Sequence, residues 1–217
     1  MNRFVHVGLL AGLFMLLGFS GQVAADRGGN VECPVGLVNG LELDDEFGPG
    51  TEALTGCIKK RHQVKVVVQV NQFCRDAVPN PACTRPYALG NIRNMIADYE
   101  ITHGMMPGLD YEIVAVVHSG GAWLMLQDGF TFDDNTAGTV TISNQFQGLV
   151  ESLMDQGVRF LFCQNTTRGF IRANRLPSFA DGEGSATAAL IPGVGYTTAG
   201  LTSIADLQSQ GYRYIQP

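Results

Sequence analysis

No basic run in this chain is longer than Lys59-Lys60-Arg61-His62. Its 14 Lys+Arg are outnumbered by 20 Asp+Glu, giving a formal charge of −6, or −7 once Arg3 and the rest of residues 1–25 are set aside. Such a balance leaves no electrostatic footprint for nucleic acid or an anionic membrane surface. Nucleotide loops are missing as well: Gly193-x-Gly195 lacks a third glycine at the right spacing, and there is no Walker pattern. No Cys-x-x-Cys-His motif occurs, which excludes covalent haem attachment. Cysteine is scarce and odd in number, five in 217 residues. Beyond residue 25 no apolar run approaches the length of a membrane span.

Residues 1–25 read as a signal peptide. Arg3 supplies the positive start, Val7 to Phe19 an apolar core, and Val23-Ala24-Ala25 small residues for cleavage before Asp26. The run falls short of the roughly 20 apolar residues a membrane anchor needs. The expectation is a periplasmic chain, free of the membrane after signal cleavage. Residues 26–62 form a Gly- and acid-rich extension (Asp44-Asp45-Glu46, Gly48-Pro49-Gly50) without sustained periodicity, bracketed by Cys33 and Cys57. In an oxidising compartment two cysteines around such a loop are expected to pair. A second nearby pair, Cys74 and Cys83, encloses a loop with Pro79 and Pro81. Pairing by proximity leaves Cys163 as the odd thiol.

From 63 to 217 the pattern alternates strand and helix. Val64 to Val70 is a β-branched strand and Pro86 to His103 an amphipathic helix facing inward with Leu89, Ile92, Ile96 and Tyr99. Tyr111 to Val117 is a second strand, running into His118-Ser119-Gly120-Gly121 and a short apolar helix over 122–126. Residues 127–141 are a polar insertion suited to a small hairpin. Asp133-x-Asn135-x-x-Gly138 within it resembles a calcium loop, but Ala137 offers no oxygen and Asn144 stands where a bidentate Glu belongs. A helix over 146–156 precedes a strand over 158–162, and a helix over about 166–174 follows. Residues 177–189 are a second insertion of small and polar residues. Val194 to Thr198, Leu201 to Gln210 and Tyr212 to Ile215 give a strand, a helix and a last strand. Such alternation implies an α/β fold with a mostly parallel sheet covered on both faces.

The chemistry-bearing stretch is Arg159-Phe160-Leu161-Phe162-Cys163-Gln164-Asn165-Thr166-Thr167. A buried apolar strand ends at a thiol, and Asn165 or Thr166 is placed to cap the helix that follows. The positive end of a helix favours thiolate over thiol. His118 ends another strand, and if the two strands are neighbours its imidazole stands near the sulfur. Ser119, Gly120, Asn165 and Thr166 add small residues and N–H donors for an anionic sulfur species. The competing readings are a buried structural cysteine and a backbone-bonded histidine. Met105-Met106 with His103 has the softness of a copper site; packing of Met106 at a helix end is the commoner reading, and no metal or cofactor is assigned. Asn165-Thr166-Thr167 matches a glycosylation sequon, which means little in a bacterial context and at a site expected to be buried.

Four segments in order carry a resemblance to the DsrE/DsrF-like sulfur-relay family over about 63 to 217. They are Asn91-Ile92-Arg93-Asn94, Val116-Val117-His118-Ser119-Gly120, Gln156 to Cys163, and Ala199-Gly200-Leu201 with Ile204, Leu207-Gln208, Gly211-Tyr212 and Tyr214-Ile215. The resemblance implies a three-layer α/β/α domain with a five-stranded sheet, assembled as a homo-oligomeric trimer or hexamer. It implies sulfane sulfur held as a persulfide, here on Cys163, and passed between a donor and an acceptor protein. The chain departs from the family pattern in its export signal, its N-terminal extension, its two insertions and four further cysteines. Two function classes follow: an exported sulfur carrier or sulfurtransferase, and a non-catalytic binding or assembly module in which Cys163 is merely buried. Trp123 and Phe130 are the apolar residues expected on an oligomer surface.

Overall fold

The computed structural model describes residues 63–74, 83–102, 104–134, 138–178 and 185–217. Five strands, β1 (Val64–Val70), β2 (Tyr111–Val117), β5 (Arg159–Cys163), β6 (Gly195–Thr197) and β7 (Arg213–Ile215), form one sheet in the order β6-β5-β2-β1-β7. Every pairing in it is parallel. Burial of β1 and β2 on both faces explains why they read as continuous apolar runs rather than alternations. Val66, Val67, Val68 and Val70 are all buried, as are residues 113–117. The register sets Val70 beside Val117 and Val117 beside Phe162. Three strands therefore end level, and the residues just past those ends share one edge of the sheet.

Alternate residues divide between the two faces. Val66, Val68, Val70, Ile113, Ala115, Val117, Phe160 and Phe162 point into the larger core. There they meet Leu89, Ile92 and Ile96 of helix α1 (Tyr87–Ala97) and Val150 and Leu153 of helix α2 (Gln147–Asp155). Each such fully buried aliphatic side chain contributes about 1.5–3 kcal/mol relative to exposure. The opposite face is thinner. Val67, Val114 and Val116 pack with Ile204 of helix α4 (Gly200–Ser209) and with Tyr212, flanked by Leu161 and Leu207. Helix α3 (Gln164–Arg172) buries Thr167 and Phe170. Phe170 lies against Trp123 with ring centroids 5.0 Å apart, and the Arg175 guanidinium covers both rings. Trp123 and Phe130 are thus half-buried against the core rather than displayed. The exposed large apolar residues are others, among them Ile101, Leu109, Leu201, Tyr214 and Ile215.

The first helix is α over Tyr87–Ala97 and widens to a π-helix over Asp98–Thr102, so the span its periodicity suggests is helical to Thr102. The π segment sets the Tyr99 ring 5.0 Å from Tyr111, whose hydroxyl donates to Glu100 at 2.7 Å. Met105 is the methionine that packs inward, at 6 % exposure against 54 % for Met106. His103 lies outside the described residues. The polar insertion is an antiparallel hairpin, β3 (Thr131–Asp134) and β4 (Gly138–Thr141). Asn144 is buried and donates to the carbonyls of Leu124 and Leu126 at 3.0 and 2.7 Å, so it ties the turn after β2 to α2.

After β2 the chain turns sharply into a 3-10 helix over Ser119–Met125. His118 N–H donates to the Val70 carbonyl at 3.0 Å, and Gly121 lies so close that a Cβ there would sit 2.4 Å from that oxygen. Only glycine allows this approach. Gly121→Ala should therefore lower stability by about 1–3 kcal/mol, as overpacking against rigid backbone does. Gly148→Ala, inside α2 with nothing within 4 Å of the added methyl, should raise it through helix propensity. Denaturant midpoints of the two variants check the pair; equal shifts would show that the close approach is not what constrains the turn.

Candidate functional site

Strand β5 passes into α3 without a loop: Cys163 is both the last strand residue and the N-cap of the helix. The helix starts at Gln164, earlier than the capping residues suggest, so Asn165 and Thr166 belong to its first turn. Their backbone N–H groups are among those with no intrahelical acceptor. A second helix reaches the same sulfur. Gly200, the first residue of α4, donates its N–H to Cys163 Sγ at 3.2 Å. One sulfur thus faces the positive ends of two helices. Burial pushes the Cys163 thiol up, but the N–H groups of Thr166, Gly200 and Asn165 and the Thr166 hydroxyl outweigh it. The net result is a thiol below its ordinary value. Cys163 itself is buried, at 4 % exposure, while Ser119 and Asn165 are exposed.

His118 follows β2 directly, one residue past the last β2–β5 pair, Val117 with Phe162, as Cys163 is on β5. Its ring packs on Gly200: a Cβ at that position would stand 3.1 Å from His118 Cδ2. Both ring nitrogens are engaged away from the sulfur. Nε2 lies 2.6 Å from Gln69 Nε2, and Nδ1 lies 2.9 Å from Ser119 Oγ. The Gln69 oxygen in turn accepts from the Tyr214 hydroxyl. Burial holds the imidazole below its ordinary value, so the ring is neutral near pH 7. His118 therefore stands beside the site, yet it is the helix-terminal N–H groups and the Thr166 hydroxyl, not the imidazole, that pull the thiol down.

Of the residues singled out by sequence, Cys163, His118, Ser119 and Thr166 come together. Ser119 adopts a left-handed backbone (φ 53°) and donates its N–H to Thr166 Oγ1 at 3.1 Å. Asn165 contributes its backbone N–H, while its side-chain oxygen accepts from Arg168 at 2.7 Å. Gly120 lies within the 3-10 helix over Ser119–Met125. Cys74 and Cys83 form a disulfide with a Cα–Cα distance of 6.1 Å, and Cys163 is the free cysteine among the described residues. Cys33 and Cys57 lie outside the described residues.

Gly200, Gln69 and Tyr214 were not among the candidates. Gln69 had a readable signal, a lone amide in a β-branched strand. A cavity of about 740 Å³ lined by Glu151, Met154, Asp155, Arg159, Pro192 and Gly193 lies toward the start of β5, not at the thiol. Among the described residues no cluster of three or more His, Cys, Asp or Glu is placed to hold a metal.

A family model described as DsrE/DsrF-like matches residues 81–217. No curated protein matches the chain. Among solved structures it is similar to MTH1491, a protein of unknown function from Methanobacterium thermoautotrophicum. That match has 24 % identity and a TM-score of 0.43, covering 72 % of this chain and 99 % of the other. It is also similar to the ychN protein from E. coli, with 20 % identity and a TM-score of 0.40, covering 71 % of this chain and 99 % of the other.

The environment of His118 has a consequence for pH dependence. A histidine whose folded value is depressed binds fewer protons folded than unfolded. Stability is then complete above the unfolded value of about 6.5 and falls as pH drops below it. Thermal unfolding should show this loss as pH falls below about 6.5, and His118→Asn should flatten it. An unchanged slope in the variant would assign the loss to other groups.

Proposed function

Because the chain belongs to the DsrE/DsrF-like family, we propose that it carries sulfane sulfur as a persulfide on Cys163, within periplasmic sulfur metabolism. The observation that carries this reading is a free thiol, below its ordinary value, facing the first turns of two helices. In loading, the Cys163 thiolate attacks the outer sulfur of a donor persulfide R–S–SH. The donor S–S bond breaks, R–S⁻ leaves, and Cys163–S–SH forms with no net oxidation. In unloading, an acceptor thiolate attacks that outer sulfur and Cys163–S⁻ departs. The N–H donors that favour the thiolate make it both the attacking species and a good leaving group. Ser119 and Asn165 beside the site are exposed, so a partner protein that loads Cys163 would approach over them.

A second reading has its own support. Exposure of only 4 % at Cys163 suits a non-catalytic binding or assembly module in which the thiol packs as a small apolar group. Loading separates the two. Treated with polysulfide under native conditions, the wild-type protein should gain the mass of one sulfur atom on the peptide holding Cys163. Cys163→Ser should abolish that gain while keeping the fold. A Cys163 inert to both polysulfide and alkylation would leave the module reading.

The same proposal includes a homo-oligomer, a trimer or hexamer, for which exposed Leu201, Tyr214 and Ile215 supply apolar surface. Light scattering at micromolar concentration should return a multiple of the chain mass; a monomer would remove this part.

A further inference from the structure

A line of hydrogen bonds joins the last strand to the sulfur, and its polarity can be assigned link by link. The Tyr214 hydroxyl lies between two amide oxygens, Gln69 Oε1 and, at 3.0 Å, Gln216 Oε1, and its single proton goes to the nearer, Gln69. That leaves the Gln69 amide nitrogen, which can only donate, 2.6 Å from His118 Nε2. Nε2 must then accept, so the ring proton of the neutral imidazole is on Nδ1. Nδ1–H donates to Ser119 Oγ at 2.9 Å. Ser119 is held in the left-handed region at φ 53°, a conformation that costs a non-glycine residue free energy and persists only where its surroundings enforce it. In that conformation its N–H meets Thr166 Oγ1 at 3.1 Å. With its oxygen accepting from Ser119, the Thr166 hydroxyl has its own proton to direct at Cys163 Sγ.

We propose that Gln69 and Tyr214 are positioning residues for the Cys163 thiolate. They act by holding His118 as the neutral Nδ1–H tautomer, which pins the Ser119 turn and so turns the Thr166 hydroxyl proton toward the sulfur. This rests on the reading of Cys163 as a working thiolate and extends it. His118 is then a link and a cover over Gly200, not the base that takes the thiol proton. Gln69 supports the assignment independently. It is 7 % exposed, a buried amide on a face otherwise lined by Val67, Val114 and Val116, where an unpaired polar group is costly. Both its polar atoms are spent on this line.

The tautomer can be read without any variant. Nitrogen-15 NMR of the wild-type imidazole should show His118 protonated at Nδ1 and bare at Nε2; an Nε2–H tautomer overturns the proposal. The pH dependence of Cys163 alkylation by iodoacetamide gives the second readout. Thr166→Val and Gln69→Leu should each raise the apparent thiol value by about one unit, a tenfold loss of rate below the midpoint. Thr166→Ser should restore the wild-type profile. Gln69→Glu, whose carboxylate only accepts, should switch His118 to the Nε2–H form and share the loss. Unchanged profiles in folded Gln69→Leu and Thr166→Val would also overturn it. Polysulfide loading of the wild-type protein, run above the thiol midpoint, reads the carrier function separately. Failure to load with the expected tautomer and profiles would sink the carrier reading and leave the positioning line standing.

Discussion

The structure turns on the absence of a loop after β5. Strand and helix meet at one residue, so Cys163 has no freedom to point elsewhere, and the unsatisfied N–H groups of the α3 first turn open beside its sulfur. The arrival of α4 at the same point doubles the effect. Gly200 brings a further N–H to the sulfur, and its lack of a side chain is what lets the His118 ring close over it. Two helix termini bring N–H donors to one sulfur, and these favour its thiolate over its thiol. The charge state of the cysteine and the packing of the two helices are therefore a single problem with a single solution.

The sheet's two faces are unequal, and the site depends on that. One face is covered by α1, α2 and the 3-10 helix over a large apolar core, which fixes the strands and their level ends. The other carries α4 over a small cluster, and its carboxyl end has room for Gln69, His118 and Cys163. A fully apolar second face would have been simpler to stabilise. Instead it holds a buried amide and a half-buried imidazole, each satisfied through its neighbours. The near contact of Gly121 with the Val70 carbonyl ties this polar line to the rigid sheet, because it forces the tight turn in which Ser119 sits.

The fold was largely legible in the chain because its signals are local. Hydrophobic period, β-branched runs and Gly at helix ends located every strand of the main sheet to within a residue or two, and the hairpin in the polar insertion. The details missed or misjudged were those settled by neighbours. The first helix widens to a π-helix where Tyr99 meets Tyr111, Met105 packs in place of Met106, and Trp123 is drawn in by Phe170. The α3 capping residue was misplaced because the pattern has no mark for a strand that becomes a helix without an intervening residue.

By itself the sequence determined the alternating α/β order, the family membership, and a thiol where a buried strand hands over to a helix. Those follow from residue types a few positions apart. What only the tertiary structure decided is what surrounds that thiol. Gly200 comes from 37 residues further on, Gln69 meets His118 across 49 residues, and Tyr214 reaches Gln69 across 145. Each contact depends on strand order and register, which bring ends of the chain to one edge of the sheet. A hydrogen bond needs its partners within a few tenths of an ångström, whereas hydrophobic burial asks only that a residue face inward. That difference in tolerance is why the core could be read from pattern, and the company of Cys163 could not.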